Sequence, residues 1–112
     1  MANNKTKLVF TTTTDENTIP EKLEWEADNN QKKECKAAML SFWDKATQST
    51  ERVDLWTKEM PVGEMKLFIY QSILTSADAL ARATGDEGAA HELRQFAHEW
   101  GFKQEIIKYE GE

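Results

Sequence analysis

The residues best suited to metal or acid–base chemistry are two histidines, His91 and His98. They stand seven positions apart, so on a helix they share one face. A zinc site usually needs three or four ligands at close spacing, and the chain has no HExxH pattern. We therefore interpret both as solvent-facing or half-buried histidines and expect no metal site.

Cys35 is the only cysteine, so the chain cannot form an internal disulfide, as is usual in a reducing compartment. A nucleophilic thiol needs a neighbouring base or a helix start to lower its pKa. No recognised local motif ties Cys35 to either histidine. We interpret Cys35 as a small buried apolar residue.

Carboxylates are plentiful, and Glu24 and Glu26 share a face of one predicted strand while Asp54 lies in another. Paired acids serve as general acid and base when their surroundings separate their pKa values. The interspersed Lys22 and Arg52 instead predict cross-strand ion pairs on a solvated face. Glycine-rich phosphate loops and Gly-x-Ser-x-Gly elbows are also missing from the sequence. We expect no catalytic residues, no cofactor and no enzyme activity.

Four tryptophans divide between two predicted environments. Trp25 and Trp100 fall on faces assigned to the core, whereas Trp43 and Trp56 fall on the opposite sheet face, with Met39. Two exposed Trp rings present about 300–500 Å², as much as the largest apolar patch of a typical monomer. Either a loop or terminal segment covers them, or they form a contact surface for a partner or a second copy. The candidate binding residues are Met39, Trp43, Asp54, Trp56 and Lys58.

Composition narrows the class of protein. A chain of 112 residues has the length of one domain, and its net charge of −6 with a pI near 5.0 predicts an acidic surface. Such a surface repels phosphate, which disfavours binding of nucleic acid or anionic lipid. The start of the chain has no signal-like apolar run, and no segment has the length of a membrane span. We expect a cytoplasmic protein.

Hydrophobic alternation predicts strands over residues 6–13, 21–27 and 52–57. The segment Lys33 to Asp44 is ambiguous, because its apolar residues fit a helix and also a strand with two apolar faces. We predict a strand there, since this segment and residues 52–57 flank a loop rich in Thr, Ser and Gln, as in a hairpin.

Helical periodicity follows in the second half of the chain. A long helix is predicted from Pro61 to about Ala83, with Gly85 at its C-terminal cap, and a second helix starts near Glu87. The segment Phe102 to Tyr109 stays open between helix and a short final strand.

These elements predict an α+β fold with a four-stranded antiparallel sheet followed by two α-helices packed on one face. Residues 1–4 are expected to be a flexible tail and residues 5–112 a single α+β domain. The side chains predicted to lie on the covered sheet face are Leu8, Phe10, Leu23, Trp25, Leu40, Phe42, Val53 and Leu55.

Several segments resemble GldC, a family of small gliding-motility-associated proteins of Bacteroidota. The most specific is the run Asp54-Leu55-Trp56-Thr57-Lys58-Glu59-Met60-Pro61-Val62. The other matching segments are Pro20-Glu21-Lys22-Leu23-Glu24-Trp25, Leu40-Ser41-Phe42-Trp43-Asp44, Ser76-Ala77-Asp78 and Ala81-Arg82-Ala83-Thr84-Gly85.

The resemblance implies an accessory factor for surface gliding, whose machinery overlaps with a protein-secretion apparatus. It implies no catalytic residues. We expect a non-enzymatic protein with protein partners, such as components of that machinery, or a homodimer. The alternative is a SecB-like holdase or export-chaperone role, which rests on the layout of strands followed by helices. A third hypothesis is that the protein is an enzyme or a small-ligand sensor.

Overall fold

The computed structural model describes residues 4–28 and 30–107, and these form an α+β fold. The tail predicted at residues 1–4 therefore lies mostly outside the described residues. The chain divides between Met60 and Pro61 into two compact units, one of strands and one of helices. The elements are β1 (Leu8–Thr14), β2 (Pro20–Ala27), β3 (Lys33–Cys35), β4 (Ala37–Trp43), β5 (Thr50–Trp56), α1 (Val62–Thr84) and α2 (Glu87–Lys103).

The strands form two antiparallel sheets, β1-β2-β3 and β4-β5, so the prediction of one four-stranded sheet was wrong. The segment from Lys33 to Asp44 is extended, as predicted, but it bends at Lys36 and becomes two strands. Its first part pairs with β2 and its second part with β5. The bend is tied to the end of β5, because the N–H and the hydroxyl of the buried Thr57 both donate to the Lys36 carbonyl, at 2.9 and 3.1 Å. The predicted packing of helices on a sheet face stays a prediction.

The turn between β1 and β2 is stabilised by the carboxylate of Asp15. Asp15 accepts hydrogen bonds from the backbone N–H groups of Asn17 and Ile19, at 2.8 and 2.9 Å. This turn lets Thr18 adopt a left-handed conformation, with φ at 64°. The two strands it joins run in register from Leu8 opposite Ala27 to Thr13 opposite Lys22.

The core of the three-stranded sheet centres on Leu23, which is fully buried between Thr12 of β1 and Cys35 of β3. Phe10, Leu40 and Leu55 are half-buried, in line with the prediction of a covered face. The prediction was wrong for four other residues that are more than one-third exposed. Leu8 lies at the first position of β1, and Trp25 lies beneath the Lys33 ammonium group, 5.4 Å from its ring. The exposed residues are Leu8, Trp25, Phe42 and Val53.

The helical unit is an antiparallel hairpin with a short link. α1 ends at Gly85, whose φ of 74° supplies the left-handed cap, and Asp86 then caps α2 by accepting from the Ala89 N–H at 3.0 Å. Fully buried alanines at positions 77, 90 and 97 let the two helices approach closely. Within the described residues, neither helix combines the length and apolarity needed to cross a membrane.

α2 continues past Gly101 to Lys103 and ends in a Schellman motif. The Ile106 N–H donates to the Gly101 carbonyl at 2.8 Å and the Glu105 N–H donates to the Phe102 carbonyl at 3.1 Å. Glu105 occupies the left-handed position, with φ at 59°. The start of the segment left open from Phe102 to Tyr109 is therefore helical, and its last two residues lie outside the described ones.

Candidate protein-interaction surface

One face of the β4–β5 ladder carries most of the candidate binding residues. In an antiparallel ladder, directly opposed residues point to the same side. Met39 pairs with Asp54, Ala37 with Trp56, and Trp43 with Thr50. The structure therefore places Met39, Trp43, Asp54 and Trp56 on one face, which we call the tryptophan face.

The two tryptophans stand at opposite ends of this face. Trp43 ends β4, and Trp56 lies opposite Ala37 at its start. The two positions, 37 and 43, are six residue steps apart along the strand, a distance of about 20 Å at ~3.4 Å per residue. Both rings are open to solvent in the structure, with Trp43 70% and Trp56 55% exposed. They form two separate apolar patches rather than one continuous patch.

A charged pair lies between the two rings. The Arg52 guanidinium donates two hydrogen bonds to the Asp54 carboxylate, at 3.0 and 3.2 Å. These bonds and the negative charge of Asp54 raise the pKa of Arg52 above its usual value. The middle of the tryptophan face is thus a fixed, two-pronged ion pair in solvent, a geometry that adds orientation more than stability.

Beside Trp56 the surface forms a recess of ≈ 270 Å³. Pockets for small molecules span about 300–1,000 Å³, so this recess lies just below the small end of that range. Ile19 and Pro20 are not among the predicted site residues, because they lie where the β1–β2 turn enters β2, a position that the hydrophobic period does not reveal. The lining residues are Ile19, Pro20, Asp54, Leu55 and Trp56.

Lys58 differs from the other candidates, because it follows β5 in an exposed turn. It acts electrostatically on Asp15 of the β1–β2 turn. The pKa of Asp15 lies below its usual value mainly because the Ile19 N–H donates to it, with smaller effects from Asn17 and Lys58. Lys58 therefore belongs to the surroundings of the recess rather than to the ladder itself.

Of the residues considered for catalysis, Cys35 belongs to the strand unit, and His91 and His98 belong to the helical unit. His98 shares a hydrogen bond of 3.1 Å with the hydroxyl of the buried Tyr70 through Nδ1, and His91 is exposed. Cys35 is half-buried, and its partial burial, followed by the charge of Glu34, raises the pKa of its thiol. Across residues 4–28 and 30–107, no three His, Cys, Asp or Glu side chains are grouped so that they would hold a metal ion.

The prediction of ion pairs between neighbouring strands was wrong, because the pairs form between residues of the same strand. Lys22 pairs with Glu24 at 3.7 Å, and Arg52 pairs with Asp54, in each case along one strand. Glu24 has Thr11 and Glu34 as its cross-strand neighbours, so no cation lies directly opposite it.

Comparison with known families decides the affiliation of the chain. Residues 20–106 match the model of a family described as gliding motility-associated protein GldC-like. The chain belongs to the GldC-like family. This confirms the resemblance read from its sequence. No curated protein and no solved structure matches the chain.

The stretch that matches the GldC-like family begins at Pro20 and ends within the Schellman motif. It contains the whole tryptophan face and four of the five lining residues of the recess. β1 and Ile19 precede the matched stretch. The surface that carries the candidate binding residues is thus part of the family's shared segment.

Proposed function

We propose that this protein is a non-enzymatic, cytoplasmic accessory factor of bacterial gliding motility that binds a protein partner through the tryptophan face. The observation that supports this most directly is the exposure of Trp43 and Trp56 on one face of a short ladder. Trp and Arg are the residue types most enriched among interface hot spots, and this face carries both.

The area open on the two rings is enough to anchor a partner. A fully covered Trp side chain buries about 150–250 Å², so exposures of 70% and 55% leave roughly 200–300 Å² between them to be covered. At about 25 cal/mol per Å² this is a gross gain of ~5–8 kcal/mol before the costs of association. The partner we propose inserts an apolar side chain into the recess beside Trp56 and covers the Trp43 ring.

The first experiment tests the biological role. Deletion of the gene in the native bacterium is expected to reduce colony spreading and cell speed, and the wild-type gene is expected to restore both. Complementation with Trp43→Ser plus Trp56→Ser should fail to restore them. Unchanged motility in the deletion strain would refute the proposed role.

The ladder itself offers a matched control. Phe42 lies on the opposite face of β4 and is 56% exposed, almost the same fraction as Trp56. Trp56→Ser should weaken partner capture about 30- to 1,000-fold, the range of a hot-spot truncation of ~2–4 kcal/mol, while Phe42→Ser leaves capture intact. Urea denaturation of both variants verifies that each one folds. Equal loss in the two folded variants would contradict the assignment of the tryptophan face.

A holdase role like that of SecB is the second candidate, and one observation favours it. Apolar side chains are exposed on both faces of the β4–β5 ladder, Trp43 and Trp56 on one and Phe42 and Val53 on the other. A holdase predicts suppression of the aggregation of an unfolding client enzyme, measured by light scattering, with Phe42→Ser and Trp56→Ser weakened alike. Absence of suppression by the wild-type protein would exclude this role.

A further inference from the structure

β1 is an edge strand of its sheet. It is the outermost strand of the order β1-β2-β3, and no described strand pairs with its other side. Exposed edges are normally blocked by charges, proline or a bulge in the edge strand itself. Leu8–Thr14, with the sequence LVFTTTT, contains neither a charged residue nor a proline, although charged residues make up 30% of the chain. The one irregularity in its pairing with β2 lies at the end of the strand, between Thr13 and Thr14. Its Leu, Val, Phe and Thr residues all favour strands.

The hydrogen-bonding direction of this edge follows from the start of the strand. The Lys7 carbonyl accepts from the Asp28 N–H at 2.8 Å, and the Lys7 N–H donates to the Asp28 carboxylate at 2.9 Å. The backbone groups of Lys7 therefore point toward β2. Because this direction alternates along a strand, the N–H and C=O groups of Leu8, Phe10 and Thr12 point to the free edge.

We propose that β1 pairs antiparallel with β1 of a second copy of the chain, across a two-fold axis at Thr11, and so joins the two three-stranded sheets into one. Thr11 is the middle residue of β1. With the axis there, Phe10 of each copy lies opposite Thr12 of the other, and both present the outward-pointing groups that form a hydrogen-bonded pair. This inference concerns a surface other than the tryptophan face and goes beyond the proposed function.

The charges that flank β1 favour an antiparallel orientation and a second copy of the chain as the partner. Lys7 precedes the strand and Asp15 follows it. In the antiparallel arrangement Lys7 of one copy lies opposite Asp15 of the other, twice by symmetry, whereas a parallel pair would place like charges together. Asp15 is held in its anionic form, since the backbone N–H of Ile19 lowers its pKa.

The acidic surface adds a further reason for contact at β1. Two chains of net charge −6 repel each other over most of their surfaces, and the repulsion is least where an uncharged segment meets its copy. The side chains at the edge also have apolar area to cover, with Leu8 62% and Val9 44% exposed. Val9 lies opposite Thr13 of the second copy in the proposed register, a pairing of two β-branched residues.

The first test measures the oligomeric state of the full chain by sedimentation equilibrium. Wild-type protein is expected to be a dimer, and Thr12→Pro, which removes an outward N–H from each copy without touching the β1–β2 ladder, should weaken it about 30-fold or more. Thr12→Val keeps that N–H and the branched shape, so it should stay dimeric. A monomeric wild type, or equal dimerisation of the Pro and Val variants when both fold, would overturn the proposal.

Cysteine cross-linking tests the register even if Thr12→Pro fails to fold. In a Cys35→Ala background, Thr11→Cys places two thiols opposite each other at a non-hydrogen-bonded pair, with Cα atoms about 4.5 Å apart, within disulfide range. Thr13→Cys on the same face is the control, because its two copies lie ~14 Å apart along the strands. Mild oxidation should link Thr11→Cys into dimers and leave Thr13→Cys as single chains. No link at position 11, or equal links at both, would overturn the pairing.

Discussion

Gly101 is closely packed against its neighbours in the helical unit, and substitution by alanine tests that packing. A Cβ atom at Gly101 would lie 3.0 Å from Cε1 of Tyr70 and 3.1 and 3.2 Å from two side-chain carbons of Ile107. Neither neighbour is a loose chain end. The Tyr70 hydroxyl is hydrogen-bonded to His98, and the Ile107 N–H donates to the Gly101 carbonyl at 3.3 Å.

Two opposing terms set the size of the effect. Alanine in place of glycine in a helix gains up to about 1 kcal/mol from backbone propensity. Insertion of a methyl group into a close-packed site costs about 1–3 kcal/mol. We expect Gly101→Ala to lower the free energy of unfolding by about 1 kcal/mol, since the two terms leave a net cost of roughly 0–2 kcal/mol.

Gly63 provides the matched control, because it lies in the first turn of α1 with no atom within 4 Å of an added Cβ. Gly63→Ala receives the propensity gain without the clash and should raise the free energy of unfolding by about 0.5–1 kcal/mol. Urea denaturation followed by circular dichroism measures both variants. Should Gly101→Ala prove as stable as Gly63→Ala, the close packing of Gly101 against Tyr70 would be refuted.

Three further predictions concern other parts of the chain. Glu105→Gly should stabilise the protein by about 1 kcal/mol in the same denaturation assay, because glycine adopts the left-handed conformation at φ 59° without a Cβ penalty; no gain would contradict this. The raised pKa of the Cys35 thiol means less thiolate at a given pH, so its alkylation at pH 8 should be slower than that of free cysteine. Equal rates would refute the effect of burial. The carboxyls of Asp15 and Asp44 have pKa values lowered from 3.8, mainly by the N–H groups of Ile19 and Thr47. Their contribution to stability should be present above pH 3.8 and lost as the pH falls through the lower folded values, and Asp44→Asn should reduce that loss in an acid titration.

Much of the fold was predictable because its signals are local. Alternating side chains located β2 and β5 within a few residues, and Pro61 and Gly85 marked the bounds of α1. The division of the strands into two sheets was not predictable in the same way. It depends on the bend at Lys36, which is held by hydrogen bonds from Thr57. These two residues are 21 positions apart, and a hydrogen bond between such distant residues leaves no periodic pattern in the sequence.

The candidate site shows the same split between local and long-range information. Alternation placed Met39, Trp43 and Trp56 on one face, since register in a hairpin follows from strand period and loop length. The recess beside Trp56 required a turn from elsewhere in the chain, which brings Ile19 to the end of β5. No local sequence pattern predicts that the β1–β2 turn lies beside the end of β5.

The β4–β5 ladder has apolar residues on both faces, so hydrophobicity alone does not distinguish its register from one shifted by a single residue, which would exchange the faces. Contacts at the two ends of the ladder select the observed register. At one end the Asp44 carboxylate accepts from the N–H groups of Ala46 and Thr47, and at the other Thr57 is joined to Lys36. Because these end contacts determine the pairing, substitutions between them on either face are expected to leave the strand register unchanged. The register of the ladder is thus independent of which side chains its tryptophan face presents.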